Sequence, residues 1–137
     1  MSLLKPTLQG PDEVKQYFIR RYEAFTQTKT TEIFSVMWLN RDKEFISFEP
    51  ITFGLFDSVN FSFRQLVKDG LDKDAFFVII CHNHPSGILR PSSFDLLITE
   101  GLFENFKKVD IILLDHILIG IGEAISFVQQ GYLKGTL

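Results

Sequence analysis

Apolar residues recur at Val14, Phe18, Ile19, Tyr22 and Phe25 behind an acidic start at Asp12 and Glu13. That spacing predicts an amphipathic helix over 11–25. Two runs rich in aromatic and β-branched residues follow, TEIFSVMWLN (31–40) and KEFISFEPITFG (43–54). The polar residues Asn40, Arg41 and Asp42 between them predict a β-hairpin. SFRQLVKDGL (62–71) returns to helical spacing and is expected to end near Gly70, whereas AFFVIICHNH (75–84) is a nearly continuous apolar run of the kind found in buried central strands. Beyond a Pro/Gly loop, the pattern predicts a helix over 92–107, a second buried strand in VDIILLDHILIG (109–120) and a short closing element in EAISFVQQGYL (123–133). Strands alternating with helices, plus one hairpin, predict the α/β class with a mixed sheet flanked by helices.

Composition narrows this picture. With 137 residues, 45% of them hydrophobic and 23% charged, the chain is expected to form one compact domain over 1–137. Its 15 phenylalanines make the expected core aromatic-rich. Fourteen Lys and Arg against 17 Asp and Glu give a net charge of -3, so charge does not support nucleic acid as a partner, nor an anionic membrane. A single cysteine, with no apolar run near the ~20 residues of a membrane span, makes a soluble, cytoplasmic protein the expectation.

The chemistry concentrates in CHNHPSGILRPSSFD (81–95). His82 and His84 lie at the end of a predicted strand, where residues two apart share a side, so both imidazoles face one point. Asp95 returns in the first turn of the next helix and adds an oxygen donor. Three such protein ligands leave a zinc ion an open position, as a catalytic site requires. Ser92 and Asp95 equally fit a helix-capping pair, with the hydroxyl accepting from an early backbone N–H. As a cap Ser92 accepts a hydrogen bond, which leaves its proton for a second role. Cys81 alternates to the opposite side and is expected to pack as a small apolar residue, and Asn83, on that same alternation, to fix loop backbone. Asp115 and His116 are read at the end of a buried strand, either as a hydrogen-bonded polar pair or with His116 as a fourth ligand that would close the site.

His82, His84, Ser92 and Asp95, set in HNHPSG and RPSSFD, resemble the signature of the JAB/MPN (JAMM motif) metalloproteins, and more narrowly of their RadC-like branch. TEIFSVMWLN, LLDHILIG (113–120) and the GE and SF within 122–127 resemble RadC segments in the same order. The resemblance implies a cytidine-deaminase-like mixed sheet, Zn2+ held by His82, His84 and Asp95, Glu32 as general base, and Ser92 as donor to a developing oxyanion. It implies a zinc-dependent hydrolase of peptide or isopeptide bonds, with a peptide or protein substrate. The alternative is a non-catalytic or structural-metal interaction module associated with DNA repair or recombination. The helix-hairpin-helix region that precedes the metal domain in RadC proteins is not expected in this chain.

Overall fold

Alternate residues of β1 (Ile33–Leu39) are buried on opposite faces of a sheet: Ile33, Met37 and Leu39 pack with one apolar cluster, Phe34, Val36 and Trp38 with another. A strand apolar on both faces belongs between two layers, and that is the architecture of the computed structural model, which describes residues 10–25, 28–53 and 62–134. The five-stranded sheet has the order β2-β1-β3-β4-β5, with β2 (Phe45–Phe53), β3 (Phe77–Asn83), β4 (Ile112–Ile119) and β5 (Ala124–Ser126). β3 and β4 are parallel and the other pairs antiparallel, so the sheet is mixed, as the pattern predicts.

One face is covered by α1 (Pro11–Glu23), whose Val14, Phe18 and Tyr22 meet Ile79, Cys81, Ile117 and Ile119. The other is covered by α2 (Phe63–Asp72) and α3 (Ser93–Lys107), through Leu66, Leu102 and Phe106 packed with Trp38, Val78 and Ile80. The expected hairpin is present: the Asn40 side chain accepts from the backbone of Asp42 and Glu44 and closes the turn. Pro50, which has no N–H for the ladder, lies on the edge strand β2 opposite Ser35, where the register shifts. The closing segment divides into β5 and a single turn, α4 (Phe127–Gln130). Gly54, expected at the end of β2, lies outside the described residues. Among the described residues, no helix is long and apolar enough to cross a membrane.

The second helix ends near Gly70, as the spacing predicts. α2 runs on to Asp72, and Gly70 is buried where a Cβ would stand 2.7 Å from two atoms of the Trp38 ring and 3.3 Å from Ile111. The glycine is there for close packing. In Gly70→Ala, the helical gain of about 1 kcal/mol opposes overpacking of a buried indole, which costs about 1–3 kcal/mol. The variant is expected to unfold at lower urea with an unchanged m-value, as checked by equilibrium denaturation.

Two features of the sheet set the position of the chemistry. Antiparallel pairing of β1 with β3 puts Phe34 opposite His82, so the residue preceding β1 lies beside the end of β3. The parallel β3-α3-β4 crossover then brings the start of α3 to the carboxyl end of β3, the usual place for a site in such a unit.

Candidate metal centre

Glu32, His82, His84 and Asp95 converge. Each offers a ligand atom within 4.8 Å of the others. His82 Nε2 and His84 Nε2 are 3.3 Å apart, His84 Nε2 lies 3.0 Å from Asp95 Oδ2, and His82 Nε2 lies 3.3 Å from Asp95 Oδ1. Ligands about 2.0–2.1 Å from a tetrahedral ion stand about 3.3 Å from one another, and these three contacts, which reach the two oxygens of Asp95 separately, fall near that separation. Two imidazole nitrogens with carboxylate oxygen form a donor set suited to a divalent transition metal. The residues fit a metal ion.

The local sequence explains each placement. His82 is completely buried at the end of β3, its ring stacked on Phe34 with centroids 5.0 Å apart. His84 follows the strand, its backbone N–H donating to Ile119 O and its Nδ1–H to Ile88 O, which leaves Nε2 toward the cluster. The turn after it holds Gly87 at φ 84°, and Gly120 packs against that turn so closely that a Cβ there would stand 2.7 Å from Gly87 O. Asp95 is the third helical residue of α3. Ser92 Oγ accepts from Asp95 N, and Asp95 Oδ2 accepts from Ser92 N, completing a capping box. Capping and cluster formation, alternatives in the sequence, coexist because one carboxylate has two oxygens with several lone pairs.

Ser92 itself is exposed at the N-cap, and its hydroxyl accepts from Asp95 N as expected of a cap. Glu32 is exposed at the rim. Its neighbours are fastened to β3 by the buried Asn83, whose Oδ1 accepts from Ile33 N at 2.6 Å and whose Nδ2 donates to Thr28 O and Thr31 O. Asn83 thus fixes loop backbone, and the loop it fixes carries Glu32. Cys81 is buried on the α1 side, away from the cluster. A cleft of about 450 Å³ opens beside His84, with Ile19, Tyr22, Ile119 and Ile121 among its walls.

Asp115 and His116 differ from their expected placement. They lie within β4 rather than at its end, and their side chains go to different partners. Asp115 accepts from Ser126 Oγ, Val128 N and its own neighbour His116 N, fastening β5 and α4 to the sheet, and burial pushes its carboxyl up. His116 is wholly buried between Phe127, stacked at 4.1 Å, and the edge of Phe34. Its Nε2 lies 2.7 Å from His82 Nδ1, the nitrogen facing away from the cluster, so His116 backs the His82 ring and does not join the ligand set. Behind it stands Thr99, unnoticed in the sequence, with Oγ1 2.6 Å from His116 Nδ1 and 2.6 Å from Asp95 O. The only sequence signal for Thr99 is its place four residues after Asp95, on the same face of α3.

Electrostatics follow from this packing. Burial alone would raise the Asp95 carboxyl, yet the imidazoles of His82 and His84 beside it and the backbone N–H of Ser92 outweigh burial and hold the group well below the usual carboxylate range. The Asp95 carboxylate in turn raises His84 above the ordinary imidazole value, against partial burial. Burial drives the His116 imidazole well below that value, which keeps it neutral.

A mixed sheet between helices, with a His/His/Asp/Glu set where β1 begins and β3 ends, defines a JAB/MPN-type α/β domain with a possible metal site. The family model of the RadC-like JAB domain matches residues 8–132, and the chain belongs to that family. Among curated proteins it is similar to a UPF0758 protein of Xanthomonas axonopodis pv. citri, 37% identical over 127 residues, which cover 93% of this chain and 55% of that protein. A UPF0758 protein of Shewanella baltica is 36% identical with the same coverage. One of Nitrosococcus oceani is 36% identical over 126 residues, or 92% of this chain and 54% of the relative. The chain spans about half the length of these curated relatives.

Proposed function

We propose that this domain is a zinc-dependent hydrolase of amide bonds, acting on a peptide or isopeptide bond in a peptide or protein substrate. The observation that carries the reading is the convergence of His82 Nε2, His84 Nε2 and the Asp95 carboxylate, with 3.3 Å between the imidazoles and 3.0 and 3.3 Å from them to the two carboxylate oxygens, and the Glu32 carboxylate beside them. Three protein ligands from His82, His84 and Asp95 leave a zinc ion one position open, and zinc there supplies Lewis-acid activation of water and of a carbonyl oxygen at neutral pH.

The chain's own residues supply the rest. Glu32 accepts the proton of the attacking water and returns it to the leaving amine, a transfer its exposed position allows. Ser92, whose oxygen accepts from Asp95 N in a bond that does not use its own hydroxyl proton, donates to the carbonyl oxygen as negative charge develops there. The cleft beside His84, with apolar walls from Ile19, Tyr22, Ile119 and Ile121 and the charged Glu23 and Lys29 at its lining, offers a surface for peptide residues away from the scissile bond. The net charge of -3 likewise favours a protein over a nucleic acid substrate. The single cysteine, buried and unpaired, supports a reducing, cytoplasmic setting.

The test is hydrolysis of a panel of peptides and isopeptide-linked peptides by the zinc-loaded protein. Cleavage dependent on Glu32 supports the reading. Stoichiometric zinc with no cleavage of any member favours instead a structural-metal module serving repair or recombination proteins.

A further inference from the structure

The nitrogen that His82 turns toward the cluster can serve as a ligand only when it carries no proton, and a neutral imidazole carries its proton on either of two nitrogens. The surroundings of the ring determine which. Asp95 Oδ1, 3.3 Å from Nε2, attracts the proton to the cluster side, where it blocks a metal. The opposing influence comes from behind, and its direction follows from elementary donor and acceptor rules.

A carbonyl oxygen only accepts. The 2.6 Å contact of Thr99 Oγ1 with Asp95 O therefore takes the hydroxyl proton of Thr99. Thr99 Oγ1 is left as acceptor for its other partner, so His116 Nδ1, also at 2.6 Å, carries a proton. The His116 ring is enclosed by Phe127 and Phe34 without solvent contact, an environment that disfavours a cation, so its second nitrogen is bare. That bare Nε2 accepts at 2.7 Å from His82 Nδ1. The His82 proton is thereby held on Nδ1, and the Nε2 lone pair points at His84 and Asp95.

The register of the sheet makes this chain of bonds possible. Leu113 lies opposite Val78, but Asp115 lies opposite Ile79, so one extra residue enters β4 at that point. Past the bulge the faces exchange, and His116 comes out on the side of Leu113 and His82 rather than the side of α1.

We propose that Thr99 and His116 are positioning residues that fix the tautomer of His82, so that Nε2 is ready to receive a metal ion before one arrives. The role of His82 as a ligand rests on the hydrolase reading above; its tautomer does not. Relays of this kind behind metal-ligating histidines change affinity by about 10- to 100-fold when broken.

The test uses the full chain. In the metal-free wild type, long-range 1H–15N correlation of the imidazoles is expected to show His82 and His116 both as Nδ1–H tautomers; His82 found as Nε2–H overturns the proposal. Thr99→Val removes the hydroxyl at nearly constant volume. It is expected to shift His82 toward Nε2–H and to weaken Zn2+ binding, measured by competition with a chromophoric chelator, by about 10- to 100-fold. Thr99→Ser is expected to restore both. Thr99→Val with an unchanged tautomer and unchanged Zn2+ affinity also overturns it. If Thr99→Val does not fold, the wild-type spectrum and Thr99→Ser decide the matter. If the wild type binds no zinc, the hydrolase reading fails, while the spectrum of the metal-free chain still decides the relay.

Discussion

Asp95→Asn is expected to lower zinc content from about one ion per chain to nearly none while leaving the helix start in place. Asparagine keeps a side-chain oxygen that can accept from Ser92 N, so the capping box is largely preserved, and the cap worth about 1 kcal/mol survives. What disappears is the negative charge 3.0 Å from His84 Nε2. The comparison with His84→Ala is informative because His84 is not a cap: it too is expected to lose zinc, and neither variant should lose its far-UV circular dichroism spectrum. Binding should also depend on pH in a defined direction. The His84 pKa is raised by Asp95, so in the metal-free protein that contact stabilises the fold below the imidazole's unfolded value and is lost as pH rises through the folded one. Zinc takes only the unprotonated ring. Its apparent affinity is therefore expected to climb with pH through the raised His84 pKa and level off above it, as measured by chelator competition at constant ionic strength.

Glu32→Gln separates holding the ion from using it. The substitution is nearly isosteric, lies at the exposed rim of the cluster, and leaves His82, His84 and Asp95 untouched. Zinc content is expected to stay near that of the wild type, whereas the hydrolytic rate falls by about 10²–10⁴-fold, the range associated with a lost general base. A rate within a few-fold of wild type would remove Glu32 from the mechanism. A parallel loss of zinc would make it a ligand instead. Stability should hardly change, since Asn83 anchors the flanking backbone at Thr31 and Ile33 rather than the Glu32 side chain.

The layout of the chain was legible because its strands and helices differ clearly in period. β1 and β3 are apolar on both faces, as a sheet covered twice must be, and α1 has one buried stripe. The histidine pair was legible for the same reason, since two residues at a strand end share a side. Other parts of the site depend on contacts between distant segments. Glu32 is fifty positions from His82 and enters through the antiparallel pairing of β1 with β3; no local spacing signals it, and only the family resemblance pointed there. His116 stood out in the sequence, but its place behind His82 did not, because a bulge exchanges the faces of β4 midway and strict alternation misplaces everything beyond it. Thr99 looked like an ordinary helical threonine, and its function exists only once α3 lies against β4. Gly70 marked the approximate helix end correctly, but its packing role was not legible, because the Trp38 ring that requires it comes from a strand more than thirty residues earlier.

X-ray absorption at the zinc edge of the loaded protein examines the ligand set itself. Two imidazole nitrogens and carboxylate oxygen in a four-coordinate shell at about 2.0–2.2 Å is the expected result. A shell containing sulfur, a single imidazole, or no retained zinc under metal-replete conditions would contradict the account.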